Sequence, residues 1–205
     1  MNSMNLANAL TMFRLIAAPV FVFLLVRETR QDLWIASLLF VVATLTDAFD
    51  GYFARRKNTV THMGRWLDPI ADKVLISGAY LAFLSMGVAA VKAWMVAAII
   101  GREVLVSALR SLAGRRGVII HSSQLAKWKT GFQMGVALAI LALMCLRAAS
   151  NPSPGYWIDP GSESARTSLV IALLLTITLT ILSGVDYVWK NREVFRPLQR
   201  GNTPS

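Results

Sequence analysis

Four aspartates, Asp47, Asp50, Asp68 and Asp72, stand close together in a chain with only eleven acidic residues, and long apolar runs flank them on both sides. On a helix turning about 100° per residue, Asp50 lies about 60° around from Asp47, Gly51 about 40° and Ala54 about 20°. Two carboxylates therefore share a helix face with two of the smallest residues. Asp68 and Asp72 are one turn apart at the start of the next apolar run. Two helices joined by a short loop can aim four carboxylates at one spot.

Such charges repel one another, and placing even one in hydrocarbon costs about 2.5–3.5 kcal/mol. Arg55, Arg56 and Lys73 are nearby counter-charges. A divalent cation does the same more compactly, and hard oxygen ligands suit Mg²⁺ or Mn²⁺. His62 and His121 are the only histidines, so no zinc set is available. Two ions match four carboxylates, and such a pair can clamp both the attacking and leaving oxygens of a phosphoryl transfer. Gly51 and Ala54 then give clearance for a bulky ligand. Taken singly, the residues have plainer readings. Asp68 before Pro69 is a normal helix N-cap with proline at N1. Asp47 or Asp50 is an interfacial side chain facing water, and Arg55-Arg56-Lys57 is an ordinary cytoplasmic cluster. All four aspartates together are not accounted for in that way.

The elements that must position them are apolar helices. Of 205 residues, 55% are hydrophobic and 16% charged, and the mean hydropathy is +0.53. Those values lie on the membrane side of an average soluble domain. The length fits one domain. We expect residues 1–197 to form a membrane domain and residues 198–205 a short flexible tail. The net charge of +10 suits nucleic acid or an anionic lipid surface. With this hydropathy the lipid surface is expected and nucleic acid is set aside. Cys145 is the single cysteine, so an intrachain disulfide is excluded. The first apolar run contains Arg14 and Pro19 and lacks a small-residue cleavage site, so it reads as a retained helix.

Six runs are long enough to suggest spans. They are Leu10–Val26, with Asn8 or Thr11 as cap and Pro19 as a kink, Leu33 to about Asp47, Pro69 to about Val88, Ala93 to about Leu112, about Trp128–Leu146 and about Ser168–Trp189. Arg55, Arg56, Lys57, Arg65, Arg115, Arg116, Lys127, Lys190, Arg192, Arg196 and Arg200 fall on one side of this arrangement. Arg27, Arg30, Lys92, Arg147 and Arg166 fall on the other. The positive-inside rule then places both termini and the aspartates on the cytoplasmic face. The expected fold is all-α, a polytopic membrane protein with six transmembrane helices.

The residues read D47-x2-D50-G51-x2-A54-R55-x8-G64-x3-D68-x3-D72. This pattern resembles the full signature of the CDP-alcohol phosphatidyltransferase family, with every fixed position filled. The resemblance implies six membrane helices, a homodimer, a CDP-linked lipid donor, an alcohol acceptor and release of CMP. It implies that Asp47, Asp50 and Asp68 hold the metals, and that Asp72 completes the metal site or acts as general base on the acceptor hydroxyl. Asp47, Gly51, Ala54 and Gly64 would border the cytidine nucleotide, and Arg55 would help to hold its phosphates.

The acceptor is read from other segments. "TMFRLIAAP" near the N-terminus, "GREVLVSALR" at Gly101–Arg110 and "AKWKT" at Ala126–Thr130 resemble the bacterial branch of that family whose acceptor is sn-glycerol 3-phosphate, with CDP-diacylglycerol as donor. The basic residues suit a dianion. Arg102 and Arg110 lie about 80° apart on a helix, and an arginine inside an apolar span faces the bundle interior or water. Lys127 and Lys129 begin the next helix on the same side. Together the four could form a cationic pocket, since arginine binds phosphate bidentately. The plainer reading is that Arg110 snorkels to the interface, that Lys127 and Lys129 mark the cytoplasmic side, and that Arg102 pairs with Glu103. Arg14 either lines the pocket or stabilises a neighbouring helix.

Three rivals remain. A membrane prenyltransferase also binds diphosphate through aspartates and Mg²⁺, but through two separated clusters. An ion-coupled transporter would carry acids near mid-membrane and an internal repeat, whereas these acids lie at one rim and no repeat is evident. The same family with serine, inositol phosphate or phosphatidylglycerol as acceptor is the nearest rival. For any of these the expected place is the cytoplasmic membrane, with the site facing the cytoplasm.

Overall fold

The structure, a computed structural model, describes residues 3–57, 64–115, 124–151 and 161–190, and side chains within 10–46, 73–114, 128–151 and 161–190. The expected tail at 198–205 lies outside the described residues. Six helices occupy them: α1 Ser3–Val26, α2 Arg30–Lys57, α3 Gly64–Ser85, α4 Ala93–Arg115, α5 Gln124–Ser150 and α6 Glu163–Lys190. The all-α expectation is met, and each apolar run lies on one helix.

Several ends differ from the sequence expectation. α1 begins at Ser3, so Asn8 and Thr11 are interior positions rather than caps, and Thr11 is buried. Leu6, Ala7, Ala9 and Leu10 are good helix formers and carry the helix upstream. α1 also runs unbroken through Pro19. α2 continues past the apolar run to Lys57. α3 starts at Gly64, which puts Asp68 inside the helix and Pro69 in its second turn. The N-cap reading of Asp68 is therefore corrected: the helix has already started upstream of it.

The remaining ends are set by recognisable local chemistry. Thr29 caps α2, accepting from the Asp32 backbone N–H at 3.1 Å and donating to the Asp32 carboxylate at 2.7 Å. Ser162 caps α6 through the Ala165 N–H at 3.2 Å. α3 ends where Gly87 takes φ +73°. There the Gly87 N–H donates to the Leu84 carbonyl and the Val88 N–H to that of Phe83, a left-handed turn that glycine adopts without penalty.

The helices close into a ring in the order α1, α3, α4, α6, α5, α2, with α3 also touching α5 across it. The core is almost wholly apolar. Phe21 of α1 meets Phe40 of α2 with ring centroids 5.1 Å apart, and Tyr80 stands edge-on to Phe83. α1 and α3 approach closely at Gly78, where an added Cβ would come within 2.9 Å of Val22 Cγ2.

α5 from Trp128 and all of α6 are long and apolar enough to cross a membrane, and Leu10–Val26 and Lys73–Ser85 are shorter apolar stretches. Large apolar side chains also point outward on every helix, for example Phe23, Leu38, Leu81, Val104, Leu146 and Val185. A water-soluble bundle keeps that face polar.

Candidate active site

The backbone supplies the helical condition that the aspartate pattern requires. Asp47, Asp50, Gly51, Ala54 and Arg55 lie on the last part of one continuous helix, α2, and Gly64, Asp68 and Asp72 on the first part of α3. Residues 58–63 alone separate the two stretches, so both belong to the same end of the bundle. The side chains from Asp47 to Asp72 lie outside the described residues. As a donor set they are hard oxygens, which fit a divalent ion such as Mg²⁺ or Mn²⁺ rather than a softer metal.

Lys73, the residue after Asp72, is described. Its ammonium donates to the Ser107 hydroxyl on α4, and that hydroxyl donates to the Glu103 backbone carbonyl at 2.6 Å. The helix that carries Asp68 and Asp72 is thereby tied to α4.

The basic residues expected in an acceptor pocket mostly gather on α4 and α5. Glu103 is their meeting point. Its carboxylate lies 3.4 Å from Arg102 Nη1 and in contact with Lys129 Nζ of α5. Lys129 is 1% exposed. Arg102 reaches across to α6, where Nη2 donates to the Ser183 hydroxyl at 3.0 Å. Gly184 lies beside this crossing, where an added Cβ would stand 3.4 Å from Arg102 Cγ, about van der Waals contact. Nε of Arg102 is buried with no hydrogen-bond partner among the described residues. One turn further along α6, Arg110 holds its guanidinium 6.0 Å from the centre of the buried Tyr187 ring, a cation–π distance. Arg102 and Arg110 are close enough for their charges to repel.

Thus Arg102 and Arg110 do face one helix, on successive turns of α6, and Arg102 and Lys129 converge on one carboxylate. The Arg102–Glu103 pair weighed from the sequence is present, with Lys129 as a third member. Arg110 is exposed. Lys127 lies on the first turn of α5, and its side chain is outside the described residues. Arg14 is 2% exposed on α1, the largest fully buried side chain described.

Sequence reasoning passed over the partners. Thr176, Thr180, Ser183 and Tyr187 are all buried on α6. Their spacing of four, three and four is the seam of a helix facing its neighbours, and it was legible as polar residues at core spacing within a greasy run. Below the ion cluster, Gln133 Nε2 lies 3.5 Å from Thr180 Oγ1, and the Tyr80 hydroxyl donates to the Gln133 carbonyl at 3.1 Å. These contacts link α3, α5 and α6.

A sequence model of the CDP-alcohol phosphatidyltransferase family matches residues 4–184. The chain belongs to this family. The match includes the whole aspartate pattern and the ion cluster around Glu103, so the phosphatidyltransferase assignment rests on most of the chain rather than on one motif. Among curated relatives, a CDP-diacylglycerol–glycerol-3-phosphate 3-phosphatidyltransferase of Bacillus subtilis is 31% identical over 94% of this chain and 97% of its own length. One of the same name from Cereibacter sphaeroides is 41% identical over 91% of this chain and 95% of its own. A probable phosphatidylglycerophosphate synthase of Mycobacterium tuberculosis is 35% identical over 90% of this chain and 80% of its own.

Proposed function

We propose that this phosphatidyltransferase moves the phosphatidyl group of CDP-diacylglycerol to sn-glycerol 3-phosphate, forming phosphatidylglycerophosphate and CMP. The names of the relatives support the reaction. The observation that carries the choice of acceptor is the Arg102 guanidinium. It is held by Glu103 and Ser183, with a buried Nε–H that has no partner among the described residues, and its carboxylate partner also meets a buried lysine. Cations gathered around a buried donor suit a phosphate-bearing alcohol better than a neutral one.

In the reaction, the acceptor hydroxyl attacks the phosphorus that carries diacylglycerol, and the bond from that phosphorus to the bridging oxygen breaks, so that CMP leaves with the oxygen. Asp72 is the candidate base for the hydroxyl proton. Asp47, Asp50 and Asp68 would hold two divalent ions, Mg²⁺ or Mn²⁺, whose charge would offset that of the diphosphate, with Asp72 completing the set where it does not act as base. Gly51, Ala54 and Gly64 give room to the cytidine, with Asp47 at its border, and Arg55 meets its phosphates. Arg102, Arg110, Lys127 and Lys129 receive the acceptor phosphate, and Arg14 borders that pocket.

We further propose that all six helices span the cytoplasmic membrane with both termini and the site on the cytoplasmic side, as a homodimer. The outward apolar faces on every helix support the spans, and the distribution of arginine and lysine supports the orientation. Enzyme in vesicles with CDP-diacylglycerol, sn-glycerol 3-phosphate and Mg²⁺ tests the reaction. CMP and phosphatidylglycerophosphate should appear in equal amounts and stop when the metal is chelated. CMP release that does not depend on glycerol 3-phosphate would reject the proposal.

A further inference from the structure

Glu103 is an acid on a mostly apolar helix, with a side chain 13% exposed. One cation would be enough to make it tolerable there. The structure gives it two, from different helices: Arg102 of α4 and Lys129 of α5. Arg102 also keeps a buried Nε–H with no partner among the described residues. An ion pair that served packing alone needs neither a second cation from another helix nor a donor held in reserve. The same turn of α4 is braced from the other side, because Ser107 donates to the Glu103 carbonyl and receives Lys73, the neighbour of Asp72.

We propose that Glu103 is a positioning residue for the acceptor: its carboxylate holds Arg102 and Lys129 at the spacing that receives the acceptor's phosphate, on a turn of α4 fixed to the helix that carries Asp72. Glu103 does not touch the reacting atoms. It acts through the two cations, holding the Lys129 ammonium in place inside the bundle and the Arg102 fork turned between α4 and α6. Without it a buried ammonium loses its facing carboxylate, and the guanidinium loses one of its two anchors. This inference rests on the acceptor pocket proposed above.

The test is steady-state kinetics of the full chain in vesicles, with each substrate varied in turn. Glu103→Gln, which keeps the shape and removes the charge, should raise the KM for glycerol 3-phosphate about tenfold and leave that for CDP-diacylglycerol within about twofold. Glu103→Asp restores the charge with a shorter reach, and its acceptor KM should lie between the two. If Glu103→Gln proves too unstable to assay, Glu103→Asp alone decides, by raising the acceptor KM selectively or not. A fall in kcat with both KM values unchanged in these variants overturns the proposal, because that is what a structural role alone produces. Arg102→Ala and Lys129→Met separate the two levels. If they raise the acceptor KM while the Glu103 variants do not, Glu103 is not a positioning residue and the pocket stands. If none of the four moves it, the pocket falls as well.

Discussion

The first three helices and the last three are held together by different means. Where α1 meets α2 and α3, most of the described contacts are hydrocarbon at close range: Phe21 on Phe40, Gly78 against Val22, and the buried Ala17, Ala18 and Ala79. Where α4, α5 and α6 meet, apolar side chains such as Ile99, Ile140 and Leu173 also pack, but polar contacts cross between the helices: Arg102 with Ser183, Lys129 with Glu103, Gln133 with Thr180 and Arg110 over Tyr187. Lipid removes the hydrophobic drive between helices, so association relies on small residues that allow close approach or on polar side chains that bond across. Close approach at Gly78 is an example of the first device, and the polar contacts between α4, α5 and α6 are examples of the second. In the second half, the groups that hold the helices together are also those proposed to bind the acceptor, so structure and specificity are harder to separate there.

Substitutions should expose that difference. The largest effect belongs to the aspartates at the tips of α2 and α3. Asp47→Asn, Asp50→Asn or Asp68→Asn should lower the rate of CMP release by about a thousandfold or more while the protein still inserts, as expected for loss of charge stabilisation in phosphoryl transfer. Retained turnover would remove these residues from the metal site. Next comes the apolar half. Gly78→Leu must displace Val22 or separate α1 from α3, and overpacking of this kind costs about 1–3 kcal/mol. The unfolding temperature in detergent should drop with the acceptor KM unchanged. An altered acceptor KM would show that the halves are not independent. The smallest effect is that of Arg110→Ala. An exposed cation near the pocket is worth about 1 kcal/mol, so the KM for glycerol 3-phosphate should rise several-fold and more than that for CDP-diacylglycerol. An unchanged acceptor KM would exclude Arg110 from the pocket.

Much of the helical layout was legible beforehand because the length of an apolar run is a local property of the chain. The six helices lie on the six apolar runs, and α2 and α3 carry the aspartate pattern on continuous helices. Helix ends were less legible. Asp68 followed by Pro69 has the local form of a cap, yet the helix starts at Gly64. Asn8 and Thr11 were overridden in the same way by good helix formers upstream. Partnerships between helices were least legible. Arg102 and Glu103 are sequence neighbours and their pairing was foreseeable. The third member, Lys129, and the anchors Ser183 and Tyr187 come from other helices, and no spacing rule within α4 points to them. The buried polar series on α6 was the available signal, since its spacing marks an inward face whatever its partner.

The account depends most on the idea that the cations of the α4–α5–α6 half select an acceptor that carries phosphate. The direct measurement is kcat/KM for glycerol 3-phosphate against glycerol, with CDP-diacylglycerol as donor, in the parent enzyme and in Arg102→Ala. The parent should prefer glycerol 3-phosphate by about a thousandfold or more, and the variant should lose most of that preference chiefly through the phosphorylated substrate, since a charge-assisted bond of this kind contributes about 1.5–3 kcal/mol. An unchanged preference in Arg102→Ala, or a parent enzyme that accepts glycerol equally well, would contradict it.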